Sequence, residues 1–206
     1  MPKPTEIPAH NETDTGEPKS FSLPVEIDGL NYFFEGEISS ETGHFEWNIR
    51  VPNWQEQIAK IEEDIKAGGV SAALRAILGT LKRKKGSVGE IDIHLTRDHI
   101  QLAHIGTSTW AMPAELGYQN ARGVGGFLLE NFLTLADIKG LPAFLIYYPD
   151  GSSPLSDKET TEWYQRHGFQ WIHDVPDEKK LPKNYGDMVR LPRQADLSQP
   201  IAKIAK

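Results

Sequence analysis

Near the start of the chain, apolar and polar positions alternate with a period close to two. Phe21, Leu23, Val25 and Ile27 fall on one face, Asp28-Gly29 marks a turn, and Tyr32 to Ile38 and Phe45 to Val51 follow across the Ser39 to Gly43 cluster. Aromatic and β-branched runs broken by Gly and Asp predict an antiparallel meander. The period then changes. Trp54, Ile58, Ile61 and Ile65 recur at steps of four, three and four residues, which predicts an amphipathic helix ended by Gly68-Gly69. Asn53 and Glu56 stand at the spacing of an N-cap and its reciprocal partner. Val70, Ala73, Leu74, Ile77, Leu78 and Leu81 predict a second helix, closed by Lys82-Arg83-Lys84-Lys85-Gly86. Cations before a glycine suit a helix C-terminus; a patch for anions or nucleic acid is the competing reading.

Alternation returns at Ile91, Ile93 and Leu95, turns at Arg97-Asp98, and resumes from Ile100 and Leu102 toward Trp110 and Met112. A helix through Val124, Phe127, Leu128, Leu135 and Ile138 ends at Gly140, and Leu141 to Tyr148 reads as a strand buried on both faces. A short helix over about Ser156 to His167 and two strand-like runs, Phe169 to His173 and Met188 to Leu191, complete the order. This is an α+β fold: a mixed, largely antiparallel sheet flanked by helices, with an N-terminal β-meander extension. Residues 1–20 are polar and Pro-rich and read as a flexible leader, and 194–206 as a peripheral tail.

Composition narrows the classes. The chain of 206 residues fits one generous domain at roughly 150 residues per domain. It contains no cysteine, so disulfides, Cys-ligated metals, iron–sulfur clusters and thiol catalysis are excluded. Lys plus Arg is 22 against 29 for Asp plus Glu, a net charge of −7 that argues against nucleic acid as a whole-surface partner. The expected setting is cytoplasmic, with no membrane partner, since no apolar run approaches the roughly 20 residues of a membrane helix.

The most informative stretch is Asn120-Ala121-Arg122-Gly123-Val124-Gly125-Gly126-Phe127. Glycines at a helix mouth let unpaired first-turn N–H groups approach a phosphate at the positive end of the dipole, and Arg122 could add a charge-assisted contact. Phe127, Leu128 and Leu129 stand where a dinucleotide fingerprint needs its spacer and third glycine, so that motif is absent. Later comes Tyr164-Gln165-Arg166-His167-Gly168-Phe169, a tyrosine on the last turn of a helix before a Gly-Phe that restarts a strand.

Together the two motifs resemble the GNAT superfamily of acyl-CoA-dependent N-acyltransferases. Gly123 and Gly125 match the family's pyrophosphate loop; Tyr164, Gly168 and Phe169 match its tyrosine motif. Asn120 stands where the loop usually has Arg or Gln, and the connections before Gly123 and before the tyrosine helix are longer than usual. The resemblance implies a GNAT-like domain over 21–193, comprising the β extension (21–51), two helices (52–86) and an acyl-CoA-binding core (87–193). It implies acetyl-CoA or another acyl-CoA as co-substrate, held by Ala111, Met112, Arg122, Gly123, Val124, Gly125 and Gly126. The acceptor would be a small-molecule or peptide amine, with Tyr164 as general acid.

An amine acceptor also needs a proton acceptor, for which Glu115, His104 and Asp92 are candidates, Glu115 being placed in the catalytic set beside Tyr164. No His pair has helical metal-ligand spacing, so no metal is expected. Tyr147 and Tyr148 line an acceptor groove or are ordinary strand formers. The alternative function is a catalytically silent binding or structural protein on the same fold, with the meander as a homodimer contact.

Overall fold

Asp28 and Gly29 both take positive φ, 54° and 75°. That is the two-residue turn whose twist matches paired strands, and it joins β1 (Lys19–Ile27) to β2 (Leu30–Ile38). The computed structural model describes residues 18–38, 42–67, 78–79, 82–107, 122–147, 155–176, 181 and 185–193. The remaining elements are β3 (Gly43–Arg50), α1 (Trp54–Lys66), β4 (Ser87–Leu95), β5 (Ile100–Thr107), α2 (Val124–Lys139), β6 (Ala143–Leu145), α3 (Asp157–Arg166), β7 (Gln170–Trp171) and β8 (Met188–Arg190). The eight strands form one open sheet in the order β1-β2-β3-β4-β5-β6-β8-β7. Every neighbouring pair is antiparallel except β5 and β6, which are parallel. The fold is therefore mixed α+β with a mostly antiparallel sheet and, among the described residues, three helices.

The meander is continuous with the rest of the sheet, because β3 pairs along β4 from Gly43↔Leu95 to Arg50↔Ser87. Period-two alternation sends Ile49, Ile91, Ile93, Ile100 and Leu102 into the core, where each is at most 3% exposed, while Glu46, Asp92, His94 and Gln101 share the opposite face. The core face is covered by α2, which packs on β4 and β5. Gly89 permits this approach: a Cβ there would lie 2.4 Å from Val124 Cγ1 and 3.1 Å from Leu128 Cδ1. Phe127 of α2 meets Phe34 of β2 edge-on at 5.3 Å, so helix and meander share one core.

Several local expectations change. Asn53 is the N-cap of α1, but its φ of 52° is left-handed and its side chain makes no cap bond. A side chain carried on that backbone does not reach the first-turn N–H groups, and the capping box expected with Glu56 is not formed. The complete box lies instead on α3, where Ser156 and Glu159 bond reciprocally. The strand expected over 141–148 is only three residues long, and Ile146 just beyond it is 61% exposed. Phe169 to His173 yields two strand residues, because Ile172–Asp174 turns into a 3-10 helix. Most of the second amphipathic segment, 70–77 and 80–81, lies outside the described residues.

Candidate functional site

The parallel pair organises the site. β5 and β6 are in register only over Ile100↔Ala143, Gln101↔Phe144 and Leu102↔Leu145. Beyond that point β5 runs on to Thr107 with no strand on its β6 side among the described residues. Two features mark the region where this pairing ends. The β4–β5 register slips between Asp92/Ile93, leaving Ala103 as an extra residue that increases local twist. The end of β6 meanwhile turns toward β8: Asp187 N–H donates to Leu145 O at 2.9 Å, and Tyr147 N–H donates to the Asp187 carboxylate at 2.9 Å. Pairing of β5 with β6 thus stops after three residues, on the carboxyl side of the parallel pair.

The glycine turn stands at the end of β5, beside Thr107. Gly123 is the N-cap of α2 with φ 83°, a left-handed conformation that suits glycine. The first intrahelical bond runs from Phe127 N–H to Gly123 O at 2.8 Å. The N–H groups of Val124, Gly125 and Gly126 therefore have no acceptor within the helix. Gly123 has no side chain to cap them, and the first turn holds no acidic residue to offset the dipole. Arg122 is exposed beside the turn. Gly125 abuts the end of β5: a Cβ would stand 3.5 Å from Thr107 Cγ2, an ordinary contact, while one at Gly126 would meet nothing within 4 Å among the described residues. Neither glycine has positive φ. Of the remaining expected site residues, Ala111, Met112 and Glu115 lie outside the described residues.

Tyr164 lies on the β6 side. It is 9% exposed, packs on Phe169 at 5.7 Å and Trp163 at 4.9 Å, and its hydroxyl pKa is pushed up to about 12, chiefly by burial and secondarily by Tyr147. The spacing of its motif has a local cause. Phe169 N–H donates to Tyr164 O, and Gly168 N–H to Gln165 O, with Gly168 at φ 90°. These are the two bonds of a Schellman helix stop, and the Tyr164–Phe169 ring contact is its usual apolar partner. The same stop ends α2, where Leu141 N–H donates to Ala136 O and Gly140 N–H to Asp137 O. There Ala136 occupies the position that Tyr164 holds in α3. Gly-Phe is thus explained by ending the helix; a tyrosine at that position is not.

The raised phenol predicts a pH signature. An ordinary tyrosine titrates near 10, so a group held at about 12 in the fold adds stability that is fully present below pH 10. That stability is lost as pH rises toward 12, and the difference corresponds to about 2–3 kcal/mol. Urea unfolding should show a steeper fall between pH 10 and 12 in the native protein than in Tyr164→Phe. Equal slopes would mean that Tyr164 titrates like an exposed phenol.

Tyr147 is already engaged: its hydroxyl donates to Asp157 O at 2.7 Å, tying the end of β6 to the start of α3. Tyr148 lies outside the described residues. His104 stands on the free stretch of β5, on the face opposite α2. Its Nε2 is 3.6 Å from Glu90 Oε1 and would be 2.8 Å from a Cβ at Gly106, so its ring lies along the strand toward Gly106. Asp92 is its register partner. In the basic run, Lys84 pairs with Glu90 at 2.8 Å and Lys82 pairs with Glu62, contacts that fit a helix end tied to its neighbours.

Fold and site define a mixed α+β protein in which, among the described residues, one parallel strand pair stands in an otherwise antiparallel sheet and a glycine-rich helix N-terminus lies at the end of β5. No family model matches the sequence, and no curated protein matches it. Among solved structures, the crystal structure of the anti-CRISPR protein AcrVA5 aligns with a TM-score of 0.35 and 21% identity, over 49% of this chain and 86% of that one. Similarity at that level is too low to transfer fold or function. Among the described residues no helix is long and apolar enough to cross a membrane, and no group of three or more His, Asp or Glu side chains is arranged to hold a metal ion.

Proposed function

We propose that the protein is a GNAT-like N-acyltransferase that moves an acyl group, acetyl in the simplest case, from acyl-CoA to an amine. The observation that carries this reading is the pair Gly125 and Gly126. Glycine in a helix costs about 0.5–1 kcal/mol relative to alanine, yet among the described residues neither backbone conformation nor packing requires one at either position. A ligand pressed against the backbone would account for both. First-turn N–H groups without an acceptor in the helix, the uncompensated dipole and Arg122 suit a pyrophosphate. The stretch of β5 past Leu102, which no described strand pairs on its β6 side, would leave the remainder of acyl-CoA a place beside the strand.

In the reaction the amine nitrogen attacks the thioester carbonyl carbon, the C–S bond breaks, and nitrogen gives up a proton. His104, next to Glu90 and Asp92, is the described candidate for receiving that proton. Tyr164 holds its own proton firmly at about 12, whereas a thiol titrates near 8.5. Full transfer from phenol to thiolate is uphill, so Tyr164 serves the departing sulfur as a neutral hydrogen-bond donor. Substitution Tyr164→Phe is expected to lower turnover about 100-fold, the scale of one lost donor at a developing charge, with acyl-CoA affinity nearly unchanged. Unaltered turnover would remove Tyr164 from the mechanism.

A further inference from the structure

The register of β3 on β4 sets His44 directly opposite His94. Both side chains are exposed on the face away from α2, and their rings lie 4.6 Å apart in an edge-to-face arrangement. Two residues away on each strand, on the same face, Glu46 stands opposite Asp92. From this juxtaposition we infer that His44 and His94 form a two-histidine chelate for a borderline divalent cation of the zinc, nickel or copper class, with water completing the coordination.

The chemistry follows from the donors. Two imidazoles on neighbouring strands offer nitrogen ligands that suit these ions and not calcium or magnesium. Strands about 4.8 Å apart bring the rings close enough for one ion to bridge them after small side-chain rotations. The adjacent row of carboxylates supplies a favourable negative field without entering the coordination sphere. Because the ligands sit on separate strands, a bound ion staples the meander to β4 and binds the folded state in preference to the unfolded one.

The test uses the full chain and nickel or copper chloride as the probe. Titration should saturate at one ion per chain, raise the melting temperature reversibly with EDTA, and give a copper resonance with two nitrogen ligands. Substitutions His44→Asn and His94→Asn, both at exposed positions, should each weaken binding by more than the roughly 10–100-fold lost with a supporting group. His104→Asn and His173→Asn should bind as the native protein does. Native-like binding by His44→Asn or His94→Asn, loss of binding in either control, or no saturable binding by the native chain would each overturn the assignment.

Discussion

Substitution Asp137→Ala is expected to remove about 3–5 kcal/mol of stability, a fall in melting temperature of roughly 6–20 °C for a chain of this size. Asp137 lies near the C-terminal end of α2, where the helix dipole disfavours a negative charge. It is held there by Arg190 of β8, which forms a two-pronged pair with it at 2.8 and 2.7 Å. The Arg190 side chain is 6% exposed, and its Nε has no hydrogen-bond partner among the described residues. Removing Asp137 would strand that buried guanidinium and also the Arg193 N–H, which donates to Asp137 at 2.8 Å. An unpaired buried charge costs far more than the pair contributes. The double variant Asp137→Ala/Arg190→Met should therefore recover part of the loss. Thermal and urea denaturation of the three proteins measures this directly, and a loss below about 1 kcal/mol in the single variant would show that the pair is well solvated.

Substitution Gly126→Ala should separate folding from binding. Its Cβ would meet no described residue within 4 Å, and alanine is the better helix former, so the variant is expected to be more stable by about 0.5–1 kcal/mol. The same methyl group stands where the backbone must approach the pyrophosphate, and acyl-CoA affinity should fall about tenfold. Gly126→Glu adds a like charge at that point and should weaken binding about 100-fold or more, equivalent to at least about 2.7 kcal/mol. Stability and affinity are thus predicted to move in opposite directions in one alanine variant. A gain in stability with full affinity would leave the glycine pair without a ligand to explain it.

Much of the fold was legible because it is written in local pattern. Alternation at Phe21 to Ile27 and at Ile91 to Leu95 gave the strands, and Asp28-Gly29 gave a turn that only permissive residues form. What escaped depends on contacts between distant segments. Nothing near His44 announces that His94 is its partner, since a one-residue slip in register would place the two on opposite faces. Asp137 and Arg190 are 53 residues apart and meet only because β8 lies beside β6. The short β6 could not be foreseen from the apolar run at 141–148, because its end is drawn away by Asp187.

The candidate site was legible at its two motifs but not in their meaning. The glycine turn reads the same in sequence and structure. The structure adds that Gly123 answers to backbone conformation, and that Gly125 and Gly126 answer to no such demand. The Tyr-x-x-x-Gly-Phe spacing proved to be a helix stop shared with α2, which leaves only the identity of Tyr164 as a functional signal. Where β5 leaves its pairing with β6, and the one-residue bulge at Ala103, follow from register and not from local pattern.

Binding of acyl-CoA beside β5, with its pyrophosphate on the α2 turn, is decided by calorimetric titration of acetyl-CoA into the native protein in parallel with Gly126→Glu. Saturable binding of one molecule per chain is expected in the native protein, with a loss of about 100-fold or more in affinity in a variant that remains folded. No heat of binding at millimolar acetyl-CoA, or equal affinity in the two proteins, would contradict it.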